Sequence, residues 1–131
     1  MEAIITGIYA KYSAANAFKT ACTGGLHYEL APQGTSLPFA TFQYITGHPE
    51  YVFGLDVIEY AVIQFDIYAA TNAIRQDLKT KLKALYDNVK LTVTGYTAMD
   101  MHREMDQDLR EGEQDELFRS IVQYRVSADK N

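Results

Sequence analysis

Hydrophobic and polar positions follow two different periods along this chain, and those periods predict its secondary structure. Between residues 2 and 20 the apolar side chains recur at spacings of three and four, which is the pattern of an amphipathic helix. A second stripe of this kind predicts a helix over residues 71–87, with Thr71 or Asn72 as its cap. The positions of that stripe are Ile74, Leu78, Leu82 and Leu85.

A period of two predicts the strands of a sheet. We expect them at about residues 39–46, 56–69, 90–101 and 117–127, with Phe42, Phe65 and Tyr124 in the core. Gly47, His48 and Pro49 are expected to interrupt the first strand, which pairs with the long second strand as an antiparallel hairpin. The order of elements predicts an α+β fold, in which two main helices pack on a mainly antiparallel sheet. The 131 residues fit a single domain, 1–131.

A loop rich in proline and glycine precedes the first long strand. Pro32 and Pro38 each fix a backbone angle and favour an extended residue before them, whereas Gly34 permits a turn that a side chain would resist. The loop therefore directs the strand that follows it, and it contains no reactive group.

Charge is distributed unevenly, which lowers the expectation of nucleic-acid binding. The net charge is −5, and residues 100–116 hold eight acidic side chains against Arg103 and Arg110. Duplex DNA is bound through clustered Lys and Arg, so an acidic chain is a poor candidate. We interpret residues 102–116 as a solvated acidic loop. Arg75, Lys79, Lys81 and Lys83 are interpreted as a solvated face of the second helix.

No set of residues predicts catalysis, a cofactor or a metal site. His27, His48 and His102 are far apart, and the acidic segment lacks the spacing of a calcium loop. Glu59 and Asp66 point to opposite faces of one strand, and Cys22 is expected to pack in the core. We expect neither a membrane-spanning segment nor a secretory leader, and the lone cysteine favours synthesis in a reducing cytoplasm.

Several short segments resemble one family of phage proteins. They are the opening helix, the segment Leu30-Ala-Pro-Gln-Gly-Thr-Ser-Leu-Pro-Phe-Ala-Thr-Phe-Gln43, the break Thr46-Gly-His-Pro-Glu-Tyr51, and Val62-Ile-Gln-Phe-Asp-Ile-Tyr-Ala69. Over residues 3–88 the chain is similar to the small tail-completion proteins of long-tailed bacteriophages and prophages, also called tail terminators or head-tail joining proteins.

The resemblance implies a structural protein of the virion tail, made in the cytoplasm of the bacterial host. Such a protein forms a ring, expected to be a hexamer, that caps the tail tube, ends its polymerisation and presents a surface to the head connector. DNA passes through the lumen without specific binding. Ring closure needs a heterologous interface, for which we predict Pro32, Pro38, Tyr44, Tyr51 and Tyr60. A lumen-facing role is predicted for Asp106, Asp108, Glu111 and Glu113.

Two other classes of protein remain open at this point. One is a small α+β enzyme or ligand-binding domain with a pocket between helix and sheet. The other is a dimeric interaction module without a role in phage. A stable monomer that binds a small molecule would favour the first class over the ring.

Overall fold

One curled, mixed sheet of six strands organises the structure, a computed structural model that describes residues 2–14, 16–51, 57–91, 93, 95–111 and 117–130. The helices of the described residues are α1 (Glu2–Ser13), α2 (Ala17–Ala21) and α3 (Asn72–Tyr86). The strands are β1 (Leu26–Tyr28), β2 (Phe39–Tyr51), β3 (Val57–Ala69), β4 (Lys90–Leu91), β5 (Tyr96–Glu111) and β6 (Leu117–Lys130).

The strand order is β1-β2-β3-β6-β5-β4. The four long strands pair antiparallel, β4 also pairs antiparallel with β5, and β1 pairs with β2 in parallel. The α+β class is therefore confirmed. The sheet is mixed, however, and three helices pack with it where two main helices were predicted.

The predicted helix over residues 2–20 is wrong in its continuity, because α1 ends at Ser13 and α2 begins at Ala17. Asn16 explains the break: its backbone is extended, and its side chain accepts a hydrogen bond from the amide of Lys19 at 2.8 Å. The same side chain donates to the carbonyl of Tyr12 at 2.9 Å. One asparagine thus caps the second helix and binds the end of the first.

The predicted interruption at residues 47–49 is also wrong, because β2 continues to Tyr51. A bulge at Ile45 changes the register, and pairing with β3 then resumes from Thr46 to Tyr51. Beyond Phe42, β2 has no strand partner on its outer side among the described residues. A proline is tolerated on such an edge, where it removes no ladder hydrogen bond.

The acidic segment is a strand over most of its length, which corrects the predicted loop at residues 102–116. The predicted strand 90–101 divides into β4 and the start of β5, and β5 then runs on to Glu111. The period of two in this segment was not recognised because so many of its side chains are acidic. Residues 112–116 lie outside the described part of the chain.

The helices cover one face of the sheet, which we call the helix face. Phe42, Phe65 and Tyr124 are buried there, as predicted. The stripe of α3 is rotated from the predicted one, because Arg75, Leu78 and Lys79 are buried and Ile74 is exposed. The hydroxyl of Tyr86 donates to the carbonyl of Ile8 at 2.8 Å, which joins α3 to α1.

Candidate assembly surface

Both sides of the sheet end in long strands that their outermost neighbours cover only in part. β1 pairs with β2 at residues 40–42, and β4 pairs with β5 at residues 99–100. The rest of each long strand presents its outer backbone groups without a strand partner among the described residues. We call these stretches the β2 edge (residues 46–51) and the β5 edge (residues 103–109). Unpaired strand edges are templates for pairing with another chain.

Large apolar side chains are exposed along the β2 side of the sheet. Leu30 is 83% exposed and Ile45 is 45% exposed, which is far more than an ordinary core residue shows. Tyr28 and Leu37 are exposed as well. These four residues, here called the β2-side apolar group, belong to β1, the loop after it and β2. Exposed apolar residues that concentrate in one region indicate an interaction surface.

The loop between β1 and β2 is built as its sequence predicts. Thr35 donates its amide to the carbonyl of Pro32 at 3.1 Å, and Gly34 has φ +86°, so residues 32–35 form a type II turn with glycine at its third position. A cis peptide bond joins Leu37 to Pro38. Gly24 donates to the carbonyl of Pro38 at 2.8 Å, which fixes the end of the loop beside β1.

A cleft of about 490 Å³ lies between this loop and the face of the sheet that no helix covers, here called the open face. Its lining includes Pro32 and Gly34 from the loop, and Asp66, Tyr68 and Arg119 from the sheet. The enzyme or ligand-binding class considered above requires a pocket between helix and sheet. This cleft does not match that description, because it is bounded by loop and sheet.

A chain of polar side chains forms the floor of the open face near this cleft. Asp66 is 5% exposed and pairs with Arg119 at 3.2 Å. Gln64 donates to Asp66 at 3.0 Å, and Gln123 donates to Gln64 at 2.9 Å. These bonds fix four side chains across β3 and β6. They leave Asp66 with the partners that a buried carboxylate requires.

The tyrosines predicted for the interface lie in different places. Tyr44 is half-buried on the helix face, and its ring lies over Gly47, where an added Cβ would overlap the Tyr44 hydroxyl. Tyr60 is on the open face, where it stacks on His48 with ring centroids 5.4 Å apart, and Arg125 lies over its ring. The side chain of Tyr51 is outside the described part of the structure.

The acidic side chains of β5 bind the basic side chains of α3. Asp106 pairs with Lys79 at 3.1 Å and with Lys83 at 2.8 Å, and Asp108 pairs with Lys79 at 3.0 Å. Ser120, which is buried, donates to Asp108 at 2.6 Å. The interpretation of Lys79 and Lys83 as a solvated surface is therefore wrong, although the half-buried Lys81 pairs with Asp77 in its own helix.

These ion pairs shift the acid-base behaviour of the carboxylates. Hydrogen bonds from Lys83 and Lys79 lower the pKa of Asp106 well below its usual value. Burial acts to raise the pKa of Asp108, but hydrogen bonds from Ser120, Gln76 and Lys79 outweigh it and lower that pKa to about 2. Both groups are charged at neutral pH and have partners within the subunit. Whether they also face a lumen stays a prediction, and Glu111 and Glu113 have no described side chains.

The described residues bring no reactive groups together. They contain no cluster of three or more His, Cys, Asp or Glu side chains able to hold a metal ion. Cys22 is buried, as predicted, and burial raises the pKa of its thiol to about 11. None of the helices in the described ranges has the length and apolar character that crossing a membrane requires.

Two features of this surface were not predicted from the sequence. Exposure of Leu30 depends on where β1 ends, and a short strand of three residues gives little periodic signal. The pairing of α3 with β5 depends on the tertiary fold. One sequence feature could have predicted this pairing: α3 carries several cationic side chains, and those of the acidic segment carry the opposite charge.

The fold and its edges thus define a class: an α+β protein with two partly open strand edges and no reactive cluster among the described residues. A family model described as "Tail completion protein gp17" matches residues 6–129, so the chain belongs to that family. It is a structural protein of the phage tail, located in the virion, and the predicted family is confirmed.

A solved structure has the same fold. It is a chain of the "Virion of native gene transfer agent (GTA) particle", with a TM-score of 0.69 and 14% sequence identity. The match covers 98% of this chain and 96% of that one. Among curated proteins, no sequence matches at a significant level.

Proposed function

We propose that this protein closes the tail tube as a ring of identical subunits, expected to be a hexamer. The ring stops addition of further tube subunits and offers its other face to the head connector. Membership of the tail completion family is the observation that carries this proposal. The two uncovered strand edges and the β2-side apolar group supply the material for a heterologous interface.

The partners of the ring are proposed to be its own copies, the tail tube protein and the connector. DNA passes through the lumen without a specific contact. The net charge of −5 suits this passage, because an acidic ring has a weak attraction for phosphates. Pro32 and Pro38 are proposed to hold the loop in place beside the subunit contact.

Tail length in a phage or prophage that carries this chain tests the proposal. Inactivating the gene should yield tails without a defined end, which continue to elongate and do not join heads. Adding the purified protein to such tails should stop their growth and restore joining. Electron microscopy of the length distribution reads out both effects.

Two results would count against the proposed function. Tails of normal length that join heads without the protein would exclude a capping role. Binding of the purified protein along the whole tube, in place of one end, would show a decorating protein and not a cap.

A further inference from the structure

We propose that the β2 edge of one subunit pairs antiparallel with the β5 edge of the next, so that one continuous sheet joins the ring. This inference rests on the proposed function, because it requires the subunits to assemble. It commits to a second copy of this chain as the occupant of each edge. Four observations support it, and they concern backbone groups, strand direction, stagger and side chains.

Backbone groups are available on both edges. Ala40 donates to the carbonyl of Gly25, and Phe42 accepts from the amide of Glu29, so these alternate residues of β2 point outward. After the bulge at Ile45, the same side carries the backbone groups of Gly47, Pro49 and Tyr51. Within the described ranges, none of these groups has a backbone partner outside β2 and β3.

The β5 edge is arranged in the same way. Met101 donates its amide outward to the carbonyl of Val89. After Met101 along β5, the outward residues are Arg103 before the bulge, and Asp106 and Asp108 after the bulge between Arg103 and Met105. Their side chains bind α3 or Asp87, while their backbone groups find no further backbone partner among the described residues outside β5 and β6.

Strand direction fits this pairing. The four long strands β2-β3-β6-β5 alternate in direction, so β2 and β5 run opposite ways. Rotation of one subunit about a ring axis repeats the sheet without reversing it. The β5 edge therefore meets the next β2 edge as an antiparallel pair, which continues the pattern within the subunit.

The stagger between the two edges fits a closed ring. The pairings place His48 level with Asp100, while the middle of the β5 edge is Asp106. With one residue taken up by the bulge, the offset is about five residues, or ~16 Å at ~3.3 Å per residue. Four strands span ~19 Å at ~4.8 Å each, so the offset corresponds to a strand tilt of ~40°, within the ~35–45° of closed sheets.

Exposed apolar side chains lie at both edges. Ile45 is exposed at the bulge that begins the β2 edge, and Met105 is 38% exposed on the β5 edge. Pairing of the edges would cover part of both side chains, which favours association. Pro49 on the β2 edge limits pairing to a short stretch, because it supplies a carbonyl and no amide.

The pairing also assigns the two faces of the sheet. The inner circumference of a ring is smaller than the outer one, so the three helices of each subunit have more room on the outside. The helix face therefore lies outside, and the open face lines the lumen. Asp106 and Asp108 would then lie outside, in contrast to their predicted lumen position. On the four long strands, apart from Glu104 at the bulge, the described charged residues of the open face are Arg119 and Arg125 against Asp66, Asp100 and Asp129. That near balance offers DNA little net attraction.

Cysteine cross-linking tests the pairing directly. His48→Cys and Gln107→Cys place thiols on the open face of β2 and of β5, at exposed positions. Within one subunit these strands are three spacings apart, ~14 Å, whereas a disulfide needs Cα atoms within ~7 Å. The buried Cys22 stays out of the reaction. The two variants are made as separate proteins, mixed, assembled on tails and oxidised.

The expected result is a covalent dimer in the mixture and none with either variant alone. Cross-linking of His48→Cys with itself would show a two-fold β2-β2 contact and overturn the proposal. Assembly on tails without any cross-link in the mixture, even when Met105→Cys or Leu109→Cys replaces Gln107→Cys, would overturn it as well. Failure of the unmodified protein to bind tails would instead overturn the proposed function and the pairing together.

Hydrogen exchange gives a second readout that needs no variant. The amides of Gly47, Tyr51, Asp106 and Asp108 should exchange at least about tenfold more slowly in the ring than in the free subunit. The amides of Thr41 and Gln43, which face β3, serve as controls and should change little. Equal exchange of the four edge amides in the ring and in the free subunit would contradict the pairing.

Discussion

At the scale of single residues, Asp108 stabilises the fold more than an acidic surface residue usually does. It receives hydrogen bonds from Ser120, Gln76 and Lys79, and its side chain is 34% exposed. Lys79 depends on it, since burial acts to lower the pKa of Lys79 and the bonds to Asp108 and Asp106 raise it above its usual value. Removing the carboxylate would leave two buried polar groups with fewer partners.

Asp108→Ala should therefore lower the free energy of unfolding by about 1–2 kcal/mol, measured by urea denaturation at pH 7. Asp77→Ala is the matched control, because it removes an exposed pair with Lys81 within one helix and should cost less than about 0.5 kcal/mol. Equal losses in the two variants would contradict a special role for Asp108.

The same group gives the stability a pH dependence of known sign. Its pKa is about 2 in the folded protein and near 3.8 ordinarily, so its contribution is complete above pH about 4 and is lost as the pH falls towards 2. In Asp108→Asn, stability should fall less steeply between pH 4 and 2 than in the unmodified protein. Thermal unfolding across that range measures the slope, and parallel curves would contradict the account.

Gly47 is required by the ring of Tyr44. A Cβ at residue 47 would overlap the Tyr44 hydroxyl and lie 2.7 Å from its Cζ atom. Gly47→Ala should therefore destabilise the protein by about 1–3 kcal/mol. The loss should become smaller in a Tyr44→Ala background without vanishing, because the carbonyl oxygen of Tyr60 would still lie 3.0 Å from the added Cβ. A double-mutant cycle of unfolding free energies measures the coupling. Additive effects would show that the two residues do not share this space.

At the scale of elements, periodicity predicted what depends on local sequence and failed where tertiary partners decide. The long strand β3 and the helix α3 were recognised because their apolar residues repeat clearly. The part of β5 after Met101 was taken for a loop, since Asp106 and Asp108 lie on the helix face, where they bind the basic side chains of α3. β2 was ended early because Pro49 signals a break unless the strand is known to lie at an edge.

The loop before β2 is an element whose design the sequence did reveal. Gly34 has φ +86° and open space around it, so a side chain there would cost backbone energy without a clash. Gly34→Ala should lower the unfolding free energy by about 1 kcal/mol and weaken binding to tails by more than that loss explains. Gln33→Ala, in the same turn, is the control. Unchanged binding to tails would remove the loop from the interface.

At the scale of the whole molecule, the β2-side apolar group is separate from the side chains that form the core. Leu30 is 83% exposed, so Leu30→Ser should leave the unfolding free energy nearly unchanged while reducing ring formation on tails severalfold. Ile74→Ser on α3 is the control, since Ile74 is also exposed but is not part of the β2-side apolar group. Sedimentation of protein with tails measures binding. Equal effects of the two substitutions would contradict an interface on the β2 side.

The central claim is that this tail completion protein forms a single ring at the end of the tail tube. Cryo-electron microscopy of purified tails with the protein bound tests it most directly. We expect one closed ring at one end of each tube, with an open channel through it and β2 of each subunit beside β5 of the next. Copies distributed along the tube, or isolated subunits at its end without closure, would contradict the account.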